Sequence, residues 1–123
     1  MKTAGAMPTR QELEILKIVW RLGQATVRDV YEALRRRRAL AYTTVMTTMN
    51  IMEAKGYLAR RLRGRAYVYR AAAGRRAMVR RMVRDFIRRV FDGSAEPLLA
   101  HLVEEGQVSP QQWQRIARMI RER

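Results

Sequence analysis

Apolar residues recur every three or four positions through most of this 123-residue chain, and one interval shifts to alternation every second residue. Thr9 and Glu12 form a T-x-x-E capping box, which predicts a helix starting at Arg10. Its stripe is Leu13, Leu16 and Trp20, widened by Ile15, Ile18 and Val19, and Gly23 ends it. Thr26 and Asp29 repeat the device and open a second helix with Val27, Val30, Tyr31 and Leu34 on one face. A third helix is expected from about Tyr42 to Lys55, with Gly56 in the C-cap position. Leu58 to Leu62 and Ala66 to Ala71 then read as two strands around an Arg63-Gly64 turn, with Tyr67 and Tyr69 alternating against Val68.

The pattern beyond is helical again. Met78, Met82, Phe86 and Val90 interleave with Val79, Val83 and Ile87 between Arg75 and Phe91, and Asp92-Gly93 breaks the run. Ser94 is expected to cap a helix carrying Leu98, Leu99, Leu102 and Val103, which Gly106 stops. Ser109-Pro110 opens the last helix, with Trp113, Ile116, Ala117 and Ile120 on one face. Three helices in about fifty residues cannot bury so many large apolar groups against one another, because a core that small is marginal. Pairing with a second copy is the economical solution. The expected dimer contacts are Met82, Phe86, Val90, Leu98, Leu99, Leu102, Trp113, Ile116 and Ile120. Folding back onto the first half is the alternative.

The third helix carries the functional reading. Stepping ~100° per residue from Val45 puts Thr48, Met49 and Met52 on its side. Thr43, Thr47, Asn50 and Ala54 lie opposite, flanked by Thr44 and Met46. Threonine is a mediocre helix former, yet four occur in the six positions from Thr43 to Thr48. Short hydroxyl and methyl groups suit close approach to a groove floor, whereas a solvated face would carry Glu, Lys or Arg. The arginines at the hairpin, Arg60, Arg61, Arg63 and Arg65, are placed to grip flanking phosphates. The expected fold is therefore mainly α with a small β-hairpin: a winged helix-turn-helix DNA-binding domain over residues 1–73, then a three-helix dimerisation domain over residues 74–123.

Charge strengthens that picture. There are 26 Lys and Arg against 11 Asp and Glu, a net charge of +15. Residues 1–73 carry fifteen basic and five acidic side chains, residues 74–123 eleven and six, so the excess sits mainly in the DNA-binding half. Nucleic acid is the economical polyanion, although an arginine-rich proteome would also decorate surfaces this way. The run Arg35 to Arg38 fits either a solvated helix end or a phosphate contact.

Catalytic chemistry finds no footing. Without cysteine there are no disulfides, zinc ribbons or thiol sites, and the only histidine, His101, has no partner ligands in the sequence. No phosphate-binding glycine loop occurs, and Ser94 and Ser109 are accounted for as caps. Neither an enzyme nor a cofactor or metal is expected. No apolar run approaches the ~18 residues of a membrane span, and the start lacks the apolar core of a secretory signal. A cytoplasmic protein without direct membrane binding is expected.

Three segments resemble the penicillinase-repressor family (regulators of the BlaI, MecI and CopY type): Glu14-Ile15-Leu16-Lys17-Ile18-Val19-Trp20, the Ala41 to Val45 entry into the third helix, and Gly64-Arg65-Ala66-Tyr67-Val68-Tyr69. The likeness runs from Glu12 to Ile120. It implies a homodimeric repressor that binds palindromic operator DNA upstream of its own operon. It also implies base readout by Thr43, Thr44, Thr47 and Asn50, with phosphate clamping by Tyr42, Arg28 and the Arg60 to Arg65 hairpin. A further implied partner is a membrane-bound metallopeptidase sensor of the BlaR/MecR type, which in beta-lactam repressors cleaves an Asn-Phe bond. His101-Leu102 stands at the corresponding place, so induction here lacks that route or uses a different bond. Copper-responsive relatives carry a Cys-x-Cys site that this chain does not have, and Ile51 stands where relatives often place a basic residue. Two other readings of the charge are a non-specific architectural DNA-binding protein and a helical module for an acidic protein or membrane partner.

Overall fold

Three helix starts are fixed by reciprocal side-chain caps. In the computed structural model, which describes residues 7–122, the Thr9 N–H donates to Glu12 Oε1 at 2.8 Å and the Glu12 N–H donates to Thr9 Oγ1 at 3.1 Å. This opens α1 (Arg10–Leu22). Thr26 and Asp29 make the same pair at 2.9 and 3.1 Å at the head of α2 (Val27–Leu34). Ser109 and Gln112 do so for α6 (Pro110–Arg121). Residues 1–6 and 123, which carry the start of the chain and the outer ends of the two expected domains, lie outside the described residues.

Between α2 and α6 the order is α3 (Tyr42–Lys55), β1 (Leu58–Arg63), β2 (Ala66–Ala71), α4 (Arg75–Phe91) and α5 (Glu96–Glu104). The protein is thus mainly helical, with one two-stranded antiparallel hairpin forming the wing of a winged helix. Ile15, Leu16 and Val19 from α1 meet Val30 and Leu34 from α2 and Val45, Met49 and Met52 from α3. Tyr57, Leu58 and Tyr69 close this core from the hairpin side, and Met78 of α4 seals it. The hairpin is tied down by more than packing. Ala25, in the α1–α2 link, exchanges backbone hydrogen bonds of 2.9 and 2.8 Å with Tyr69, adding a short third rung to the ribbon. Trp20 Nε1 donates to the Ala73 carbonyl at 3.0 Å, anchoring the chain as it leaves the wing.

Two sequence expectations shift. The hairpin turn is Gly64-Arg65, one residue later than Arg63-Gly64, because Arg63 pairs with Ala66 and remains in β1. Gly64 takes the left-handed φ of 66° at the first central position, where a two-residue hairpin of the II′ kind requires glycine. Ser94 does not cap α5. Its N–H donates to the Phe91 carbonyl within the Asp92-Gly93 turn, and Ala95 holds the cap position without a side-chain bond.

The chain divides into two compact units, one ending at Met82 and the other starting at Val83. Met82, expected in the dimer contact, is partly buried against the first unit's core. In the second unit no described residue is buried. Phe86 and Phe91 meet edge to face at 5.9 Å, while Phe86, Val90, Leu99, Val103, Trp113, Ile116, Met119 and Ile120 remain exposed. Among the described residues no helix is long and apolar enough to cross a membrane.

Candidate nucleic-acid interface

The division of α3 into an inner and an outer face follows its sequence closely. Val45, Met49 and Met52 are fully buried, and Thr43, Thr44, Thr47, Asn50 and Ala54 are exposed. Thr48 sits at the border. Its hydroxyl donates to the Thr44 carbonyl at 2.8 Å and accepts from Gln11 Nε2 at 2.8 Å, so it is committed to docking α1 on α3. Ala41 gives the helix no side-chain cap, which leaves first-turn N–H groups for an external acceptor such as a phosphate.

At the start of α3 an aromatic and cationic cluster joins it to α2. Tyr42 meets Tyr31 edge to face at 5.5 Å, and the Arg28 guanidinium lies 5.3 Å from the Tyr42 ring centroid. Arg35 covers Tyr31 at 5.8 Å. Arg28 and Arg35 also flank Glu32, at 3.6 and 3.4 Å. The predicted residues Tyr42 and Arg28 are therefore neighbours, and Tyr31 and Arg35 join them. Apolar periodicity places Tyr31 in the core, and the Arg35 to Arg38 run fits two readings, so sequence alone singles out neither.

At the other end a buried carboxylate braces the helix. Glu12 Oε2 accepts from Lys55 Nζ at 2.9 Å, across the junction between the first turn of α1 and the last turn of α3. Burial pushes the Glu12 carboxyl up, but the Thr9 N–H, the Lys55 hydrogen bond and charge, and the Thr9 hydroxyl together hold it below its ordinary value. The hydrogen bond to Glu12 raises the Lys55 ammonium, against a smaller opposing desolvation. The capping box locates Glu12 in the sequence. Its second partner, 43 positions away, has no local signal.

The hairpin arginines do not form a single group. The register sets Arg60 opposite Tyr69 and Leu62 opposite Tyr67, on the face that also holds the buried Leu58. Arg61 and Arg63 point to the other face, and Arg65 sits in the turn. Among the described residues Arg61, Arg63 and Arg65 have no ion-pair partner. Arg60 differs: its Nη1 donates to Asn50 Oδ1 at 3.0 Å, and its guanidinium stacks 4.2 Å from the Tyr67 ring centroid. The Tyr69 hydroxyl donates to the same Asn50 oxygen at 2.9 Å. The outer face of α3 is thus continuous with the helix-start cluster and, through Asn50, with Arg60 of the hairpin. Such a surface offers short polar groups at its centre, with Arg28 at one margin and Arg60 at the other.

A family model described as penicillinase repressor matches residues 8–122. The transcriptional regulator BlaI of Mycobacterium tuberculosis, in strains CDC 1551 / Oshkosh and ATCC 25618 / H37Rv, is 37% identical over 95 residues, covering 76% of this chain and 69% of that protein. The solution structure of the DNA binding domain of the repressor BlaI matches with a TM-score of 0.55 at 24% identity, covering 61% of this chain and 90% of that domain. That last likeness is one of fold.

Proposed function

The chain belongs to the penicillinase repressor family, a family of transcriptional regulators and not of enzymes, and from that premise we propose a homodimeric, sequence-specific repressor that binds palindromic operator DNA. The observation that carries this reading is the uncharged outer face of α3, joined to the basic hairpin through the Arg60–Asn50 hydrogen bond. In the proposed complex α3 enters the major groove, where Thr43, Thr44 and Thr47 meet base edges. Tyr42, Arg28, Arg61, Arg63 and Arg65 hold phosphates on either side. A repressor of this kind works in the cytoplasm, where its operator is.

Dimerisation is supported by the second unit, whose large apolar groups find no buried position within it. Its α5 and α6 border an open apolar depression lined by Leu99, Val103 and Trp113, with Glu96 and Glu104 at its edge. A second copy of the same helices covers such a face isologously, and its two-fold axis then dictates a palindromic site. The place that the resemblance assigns to cleavage, His101-Leu102, lies inside α5. A peptidase that binds extended chain reaches that bond only after α5 unfolds locally.

Footprinting on the DNA upstream of the protein's own gene tests the reading. A protected palindrome with half-sites about 10 base pairs apart, or a multiple of that, is expected. Equal affinity for that DNA and for random duplex at the same salt overturns it.

A further inference from the structure

We propose that Asn50 is a positioning residue and that the base-reading cation of the recognition surface is Arg60, held in place by Asn50 and Tyr67. The inference rests on the repressor reading above and reassigns one of the residues expected to touch bases. By sequence position Asn50 shares the outer stripe of α3 with Thr43, Thr47 and Ala54, which makes it look like a reader of adenine. An asparagine recognises adenine with two groups at once, its oxygen accepting from N6 and its amide N–H donating to N7. In this protein the oxygen is already spent. An amide oxygen has two lone pairs, and those of Asn50 are met by the Tyr69 hydroxyl at 2.9 Å and by Arg60 Nη1 at 3.0 Å. Freeing it for a base would strand the hydroxyl of Tyr69, a residue only 2% exposed. The cost of an unpaired buried hydroxyl rivals the gain from a base contact.

Arg60 is the complement of this arrangement. It stands on the α3-facing side of the hairpin, apart from Arg61 and Arg63 on the opposite side. Its guanidinium is held in place: the Tyr67 ring sets the plane at 4.2 Å, and the Asn50 oxygen, with the Tyr69 hydroxyl beside it, sets the rotation about it. The N–H donors that Asn50 and Tyr69 do not engage stay available beside the threonine stripe. A phosphate clamp does not need a fixed plane, because phosphate accepts from many directions, and the unpartnered Arg61, Arg63 and Arg65 suffice for that. A bidentate contact to guanine O6 and N7 does need one, and pre-setting it removes part of the ordering cost on binding. The exposure of Tyr67, at 44%, finds its use here, since the ring adds little to the core but one wall to Arg60.

The test measures affinities of the full-length wild type and of Asn50→Ala, Asn50→Asp, Arg60→Lys and Arg63→Ala. Each is assayed on the footprinted operator and on duplexes changed at one base pair, at fixed salt, with melting curves to establish folding. Wild type should lose roughly 5- to 150-fold affinity on replacement of a single G·C pair in one half-site. Arg60→Lys and Asn50→Ala should both flatten the preference at that same pair and leave the others. Asn50→Asp should retain it, because a carboxylate still accepts both hydrogen bonds while it has no N–H for adenine N7. Arg63→Ala should weaken every duplex by one common factor. If Arg60→Lys acts like Arg63→Ala, or if Asn50→Ala flattens an A·T pair that Arg60→Lys leaves intact, the assignment is wrong although the repressor reading stands. A wild type with no sequence preference would overturn both.

Discussion

Replacing Glu12 by Gln tests whether the brace under α3 is electrostatic. The carboxylate side chain is 4% exposed and Lys55 is 45% exposed, so the pair spans the boundary between core and water. The change keeps an oxygen for the Thr9 N–H, now as a neutral bond, and gives up the charge-assisted bond to Lys55. Hydrogen bonds to charged groups contribute about 1.5–3 kcal/mol each, and water around the Lys55 ammonium discounts that, leaving a loss of about 1–2 kcal/mol. In a domain of this size such a loss lowers Tm by roughly 5–15 °C, read by helical circular dichroism near neutral pH. The pH dependence gives the sharper criterion. Because the folded Glu12 carboxyl lies below its ordinary value of 4.5, its contribution is complete above 4.5 and vanishes as pH falls through the lower folded value. Lys55, raised above 10.5, contributes fully below that value and loses its share only as pH rises through the folded value. The gap between wild type and Glu12→Gln should therefore be flat across neutral pH and close in acid. An equal Tm at neutral pH, or a gap that persists unchanged when both proteins are acidified, refutes the brace.

Thr47→Ala should cost about 1–3 kcal/mol on the operator and relax preference at one base pair, with Tm nearly unchanged, since Thr47 is exposed. Arg63→Ala should reduce the slope of log affinity against log salt by about 0.9 for each phosphate that the side chain no longer neutralises, seen in a salt titration of binding. Gly56 holds α3's C-cap at φ 88°, so Gly56→Ala should lower stability by about 1–2 kcal/mol in denaturant titration without changing relative affinities among operators. Leu99→Asp puts a charge on the exposed α5 face, and sedimentation should find monomer, against the dimer expected of wild type.

Much of this architecture can be read from local chemistry. Capping boxes are complete within four residues, so the starts of α1, α2 and α6 are legible to the residue. The split of α3 is legible because helical periodicity and threonine placement agree over its full length. What escapes depends on pairing across the chain. A one-residue error in the turn moves the hairpin register by two, so an Arg63-Gly64 turn would set Arg60 opposite Tyr67 when it faces Tyr69. The Asn50 cluster is visible only in the correct register, together with the packing of β1 on α3. Glu12 and Lys55 illustrate the same limit, since nothing near either residue announces the other. Ser94 shows the reverse failure: a good cap residue is taken up by the preceding turn.

Under the proposed reading, the smallness of the base-reading strip determines what the rest of the chain must supply. Thr43, Thr44, Thr47 and Arg60 give one protomer only a few base contacts, each contributing about 1–3 kcal/mol of discrimination at best, and the threonines less than a bidentate pair. Specific regulators need roughly 4–10 kcal/mol over their own non-specific binding to find one site among the competing DNA of a genome. This protein's arginine excess strengthens the non-specific term as well, so more charge cannot close the gap. Doubling the readout on a two-fold site can. Occupancy of the operator then depends on the apolar faces of α5 and α6 as much as on α3, although neither helix carries a predicted base or phosphate contact. A change confined to those faces should cut the operator preference, in free energy, to about that of one half-site while leaving salt-sensitive binding by the single winged helix. That outcome separates a half-site reader made competent by pairing from a winged helix that recognises its operator alone.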